Sequence, residues 1–196
     1  TFDEENRCLL IGNDVSTKYT QRSETMYHKY AAYIDAIVSA KEGNYLVFFP
    51  SYVFMEQVRQ SFVAFEKPDV EVIMQDQGMR ENQREEFLQL FERDREGSLV
   101  GFCVLGGVFS EGIDLTEERL IGAIIIGTGL PQVCHERELL KLHFDAQGEN
   151  GFDYAYKYPG MNKVLQAAGR VIRTTEDVGI VALLDDRFLS PAYKKM

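Results

Sequence analysis

The chain has 196 residues, 45% of them apolar and 27% charged, and its 21 Lys+Arg against 31 Asp+Glu give a formal net charge of −10. A chain of this length buries roughly 70% of its unfolded surface, and its ordinary apolar content excludes disorder as the main state. The longest apolar runs, Tyr45–Pro50 and Leu120–Ile126, are strand-length, far below the ~20 residues a membrane span needs, so no membrane partner is expected. The acidic balance weighs against a large free-standing nucleic-acid footprint and leaves room for a small local one; the plain reading is a solvated acidic surface.

In chain order, Cys8–Gly12 reads as a first strand. Thr25–Ala40 follows as a helix, with Met26, Tyr30, Tyr33, Ile34, Ile37 and Val38 near a 3.6-residue period, and Gly43-Asn44 stops it. Tyr45–Phe49 is a continuous apolar strand closed by Pro50, and Met55, Val58, Phe62 and Phe65 mark the next helix face. Val70–Met74 is a strand. Arg80–Glu96 is a charged helix with a narrow stripe of Phe87, Leu90 and Phe91, ended by Gly97. Leu99–Leu105 runs as a strand into Gly106-Gly107, and Leu120–Ile126 is the most apolar strand. Val133–Phe144 is a helix, Gly148–Gly151 a loop, Met161–Ile172 a helix and Gly179–Leu184 a last strand. Doubly apolar strands alternating with helices predict one α/β domain over 1–196, a doubly wound, mostly parallel sheet with helices on both faces. Ligands of such sheets lie beyond the carboxyl ends of the strands.

Cys8, Cys103 and Cys134 show no C-x-x-C spacing, which weighs against a disulfide framework or a metal or cluster site built from this chain alone. Cys8 and Cys103 sit in apolar runs and read as small core residues. No histidine pair has metal-ligand spacing. No signal peptide is visible, and a chain opening on Thr1 reads as a piece excised from a longer, cytoplasmic protein.

Three stretches could carry chemistry. In Gly106–Leu115, glycines after a strand allow close approach of a phosphate or ribose. Gly107 and Gly112 have P-loop spacing, but Ile113-Asp114 follows where a Lys-Ser/Thr pair would stand, so a Walker A is rejected. Asp114 would face a hydroxyl or a cation; the alternative is an ordinary glycine turn with a capping Asp. In Gln166–Arg173, a helix would put Gln166, Arg170 and Arg173 on one face, with Gly169 permitting close approach. Arginine forks match phosphate oxygens bidentately; surface pairing with Glu176 and Asp177 is the alternative. In Phe48–Tyr52, Ser51 is either a plain helix N-cap or a phosphate contact at a helix start.

Taken together, YLVFFPSY, GGVFSEGIDL and YPGMNKVLQAAGRVIR with DVGIVALLDDRF after it resemble the C-terminal, second RecA-like motor domain of the XPD/DinG family of superfamily 2 DNA helicases. The resemblance runs from about Cys8 to Phe188 and points to a bacterial DinG-like member. It implies that Gln166, Arg170 and Arg173 face ATP bound on an N-terminal motor domain of the same chain, with Arg170 and Arg173 as arginine fingers. It implies that Asp114 approaches the nucleotide ribose, that Glu111, Gly112 and Gly169 belong to the nucleotide side, and that Ser51, Tyr52, Gly106, Gly107 and Ser110 lie near the backbone of single-stranded DNA. ATP and Mg2+ would then be held mainly by that missing N-terminal domain. An iron–sulfur cluster, where relatives have one, belongs to that half as well. The expectation is one half of an ATP-dependent 5′-to-3′ DNA helicase, inactive by itself. A RecA-like docking module without motor work stays open as the second reading, disfavoured by the arginine pair; a self-sufficient nucleotide enzyme is disfavoured by the missing phosphate lysine motif.

Overall fold

The computed structural model describes residues 7–109, 120–171 and 179–196. Its strands are β1 (Arg7–Gly12), β2 (Asn44–Phe49), β3 (Val70–Met74), β4 (Ser98–Val104), β5 (Gly122–Ile126) and β6 (Gly179–Leu184). Among the described residues they form one sheet, ordered β1-β6-β5-β2-β4-β3, with every neighbouring pair parallel. The helices are α1 (Glu24–Ala40), α2 (Tyr52–Phe62), α3 (Glu81–Glu92), α4 (His135–Ala146), α5 (Tyr158–Ala168) and α6 (Pro191–Lys194).

The two-residue period of the strands builds two cores from one sheet. Tyr45, Val47 and Phe49 of β2 face α1 and α2, where Tyr30, Ile34, Phe54, Val58 and Phe62 join Phe102 and Ile124. Leu46 and Phe48 point the other way, onto Phe87 and Phe91 of α3 and Met161 and Val164 of α5. The expected doubly wound α/β sheet is what the chain forms. Helix starts follow their capping residues: Ser23 Oγ accepts the Met26 N–H at 3.2 Å, and Ser51 Oγ accepts the Phe54 N–H at 3.2 Å.

Three local expectations change. Helix α3 ends at Glu92, short of Gly97, because tertiary donors take its last carbonyls: Arg95 Nη2 donates to Leu90 O at 2.7 Å and Asn44 Nδ2 to Phe91 O at 3.3 Å. Such donors satisfy groups that a further turn would otherwise serve. Cys103 is buried, as expected, but Cys8 is exposed. It lies on β1, which among the described residues is an edge strand paired with β6 alone, and Leu9, Leu10 and Ile11 beside it are also exposed. The helix expected over Met161–Ile172 begins earlier and stops sooner. Chain from Gly151 winds through a wide π-turn at Asp153–Lys157 into α5, which carries Pro159 in its first turn and ends at Ala168 with Gly169 as C-cap.

Candidate nucleotide and nucleic-acid edge

A wholly parallel sheet sends the carboxyl end of every strand to one edge, and the Ser51-Tyr52 and Gly106-Gly107 candidates lie there. Ser51 and Tyr52 follow β2, Gln75 follows β3, Gly106-Gly107 follow β4 and Asp185 follows β6. Gln75 is buried and ties three of these loops together. Its backbone N–H donates to Phe102 O at 2.8 Å, its Oε1 accepts the Val104 N–H at 2.9 Å, and its Nε2 donates to the Tyr52 hydroxyl at 2.9 Å. Tyr52 is half-buried. Burial, with Cys103 and Asp76 nearby, pushes its phenol pKa up, so the hydroxyl keeps its proton.

The turn after β4 closes with the Gly107 N–H donating to Val104 O at 3.0 Å. Gly106 has φ +74, a conformation that favours glycine, and a side chain there would also strike Lys163, whose Cδ, Cε and Nζ stand 2.8–2.9 Å from the Cβ position. So α5 crosses the glycine turn through a lysine. Among the described residues, no hydrogen bond or ion pair occupies its ammonium. Sequence reasoning passed over Lys163, although it precedes Gln166 by three residues and Arg170 by seven, the spacing of one helix face.

Gln166 is exposed near the end of α5, and Arg170 is half-buried just past it. Because α5 ends at Ala168, the helix expected to carry Gln166 and Arg170 on one face stops between them. Arg170 instead sits in a tighter turn, with the Arg170 N–H donating to Ala167 O and the Val171 N–H to Ala168 O, both at 3.2 Å. Gly169 has an ordinary helical φ of −67, and a Cβ there would meet only carbonyls of its own helix, Leu165 O at 3.3 Å and Gln166 O at 3.7 Å. Arg173, Ser110, Glu111, Gly112 and Asp114 lie outside the described residues. Among the described residues, no cluster of His, Cys, Asp or Glu is placed to hold a metal ion, and no helix is long and apolar enough to cross a membrane.

The edge is braced by a buried ion cluster after β6. Asp185, with no exposed surface, accepts the Thr17 N–H at 3.0 Å and the Thr17 hydroxyl at 2.8 Å, and pairs with Arg187 Nε at 2.7 Å. Burial alone would raise the Asp185 carboxyl; Arg187 and the backbone N–H donors outweigh it and hold the group at about 2. Outside this edge, α4 buries no residue and is held to the π-turn by polar contacts, with Tyr156 donating to Glu138 at 2.6 Å and Arg137 to Ala155 O at 2.7 Å.

Residues 34–196 match the family described as helicase C-terminal domain. The chain is 31% identical, over 94% of its length, to the ATP-dependent DNA helicase XPD of Sulfolobus acidocaldarius, and covers 32% of that protein. It is 27% identical over 91% of its length to the ATP-dependent DNA helicase chl-1 of Caenorhabditis elegans, covering 22% of it. Two solved structures, titled XPD helicase and XPD apo, superpose on 96% of the chain with TM-scores of 0.73 and 0.74 at 28% identity, and the chain covers 33% and 37% of them. The chain thus spans about a third of the length of these relatives or less.

Proposed function

Because the chain belongs to the helicase C-terminal domain family, with XPD among its relatives, we propose that it is the second motor domain of an ATP-dependent DNA helicase. What supports this reading is one juxtaposition: the helix leading to Gln166 and Arg170 lies against the Gly106-Gly107 turn through Lys163. The helix that leads to the stretch the resemblance assigns to nucleotide thus packs beside the glycine turn it assigns to DNA.

The side chains of this helix and the turn after it suit an anion. Arg170, Lys163 and the Gln166 amide offer N–H donors, and the Arg and Lys carry positive charge. In this reading ATP is held by an N-terminal motor domain, with the Mg2+ there as well, and supplies the phosphoanhydride whose hydrolysis drives the cycle. Arg170 and Arg173 approach the γ-phosphate when the two domains close and neutralise charge that develops as the bond to it breaks. Gln166 helps orient the same group, and Glu111, Gly112, Gly169 and Asp114 sit on the nucleotide side. Ser51, Tyr52, Gly106, Gly107, Ser110 and Lys163 hold the backbone of single-stranded DNA, and alternating closure moves the pair of domains along the strand in the 5′-to-3′ sense.

DNA-stimulated ATP hydrolysis tests this directly. The full-length protein is expected to hydrolyse ATP in response to single-stranded DNA, and this chain alone to show none. Robust turnover by the isolated chain would overturn the two-domain reading. Absence of DNA stimulation in the full-length protein would favour the docking alternative.

A further inference from the structure

Gln75 belongs to no stretch that the sequence singled out, yet its side chain is fixed without ambiguity. A backbone N–H can only donate, so the Gln75 atom 2.9 Å from Val104 N is the amide oxygen. The amide nitrogen must then point to Tyr52, and it reaches the hydroxyl at 2.9 Å. An amide NH2 can only donate, so the Tyr52 oxygen is the acceptor in this contact. Its own proton is left to point elsewhere. Among the described residues the hydroxyl donates to no protein group.

We propose that Gln75 is a positioning residue that sets the Tyr52 hydroxyl as a hydrogen-bond donor to a phosphate oxygen of single-stranded DNA. The proposal rests on the reading that this edge meets DNA, and it adds the polarity of the contact. A phosphodiester oxygen is an acceptor only, so a hydroxyl already satisfied as acceptor and holding its proton outward is matched to it. Burial acts in the same direction by keeping the phenol protonated. Ser51 repeats the pattern one residue earlier: its Oγ accepts the Phe54 N–H and keeps its proton for an outside acceptor. Glu56 and Asp76 line the same cleft as Tyr52.

The experiment is a double-mutant cycle in the full-length protein, read by fluorescence anisotropy of a fluorescein-labelled oligothymidylate. Tyr52→Phe removes the donor. Gln75→Glu offers only acceptors, so Val104 N–H stays served while the Tyr52 proton must turn inward. Each single substitution is expected to weaken binding about tenfold, and the double substitution no further than either alone. If Gln75→Glu still weakens binding in the Tyr52→Phe background, its effect is charge repulsion and the proposal fails. If Tyr52→Phe weakens binding and Gln75→Glu does not, the orientation argument fails while Tyr52 remains a DNA contact. If Tyr52→Phe binds as wild type, the assignment of Tyr52 to DNA has itself failed. Replacing Tyr52 with 3-fluorotyrosine keeps the fold intact and makes the phenol a stronger donor and weaker acceptor. At a pH where it stays protonated, binding is expected to tighten on the order of twofold, and weakening would overturn the proposed polarity.

Discussion

Thr17 and Asp185 are 168 residues apart in the chain and meet at the carboxyl edge of the sheet, where one carboxylate oxygen takes both the backbone N–H and the hydroxyl of the threonine. Arg187 completes the cluster by donating to both Asp185 and Thr17. The contact joins the segment after the edge strand β1 to the end of β6, so it acts as a cross-chain tie.

The tie makes stability pH-dependent with a definite sign. The Asp185 carboxyl is held near 2 in the folded chain against an ordinary value of 3.8. A depressed folded value contributes stability that is fully present above 3.8 and lost as the pH falls toward 2, about 2 kcal/mol in all. Urea unfolding midpoints at neutral pH and in this acid range are expected to differ accordingly. Asp185→Asn is expected to cost about 3 kcal/mol at neutral pH, since it leaves Arg187 partly buried and without its charge partner, and to flatten that acid dependence.

In the full-length protein, Arg170→Ala and Arg173→Ala are each expected to lower DNA-stimulated ATP turnover by at least ~10²-fold. Nucleotide binding, followed with a fluorescent ATP analogue, should fall much less. Wild-type turnover in both would favour the docking module.

Lys163→Ala is expected to weaken binding of single-stranded DNA and to reduce the slope of log affinity against log salt by about 0.7, the change for one lost phosphate contact. Lys163→Arg should keep the slope. An unchanged slope in the alanine variant would remove Lys163 from the DNA face.

Phe102 lies in the first core with no exposed surface, its ring 4.9 Å from Phe49 and 5.8 Å from Phe62 by centroid. Phe102→Ala is expected to cost about 3–5 kcal/mol, read as a fall in the thermal unfolding midpoint.

The layer arrangement was legible because burial on both faces leaves a strand no polar alternation, and YLVFF of β2 states this in five letters. Ser51 was legible as a cap because capping is local. What the sequence concealed depends on neighbours distant in the chain. Cys8 lies in an apolar run that looks like core, yet among the described residues β1 has a partner on one side only. At the end of α3, the Phe91 carbonyl is met by Asn44, 47 residues away. Gln75 is unremarkable in a linear reading and gains its role from Val104 and Tyr52, which only the fold brings to it. Lys163 had a visible signal, its helical spacing to Gln166 and Arg170, which the arginines overshadowed.

The exposed edge strand has a practical consequence. β1 carries Leu9, Leu10 and Ile11 at the end of the sheet, and among the described residues no strand pairs with its outer side. An edge of this kind is a template for strand addition between molecules, and natural proteins guard such edges with lysine, proline or a bulge. The stretch Cys8–Gly12 has none of the first two. Concentrated solutions of this chain by itself should therefore aggregate through β1, and a lysine placed at Leu10 would act as a gatekeeper without touching the loops at the carboxyl edge.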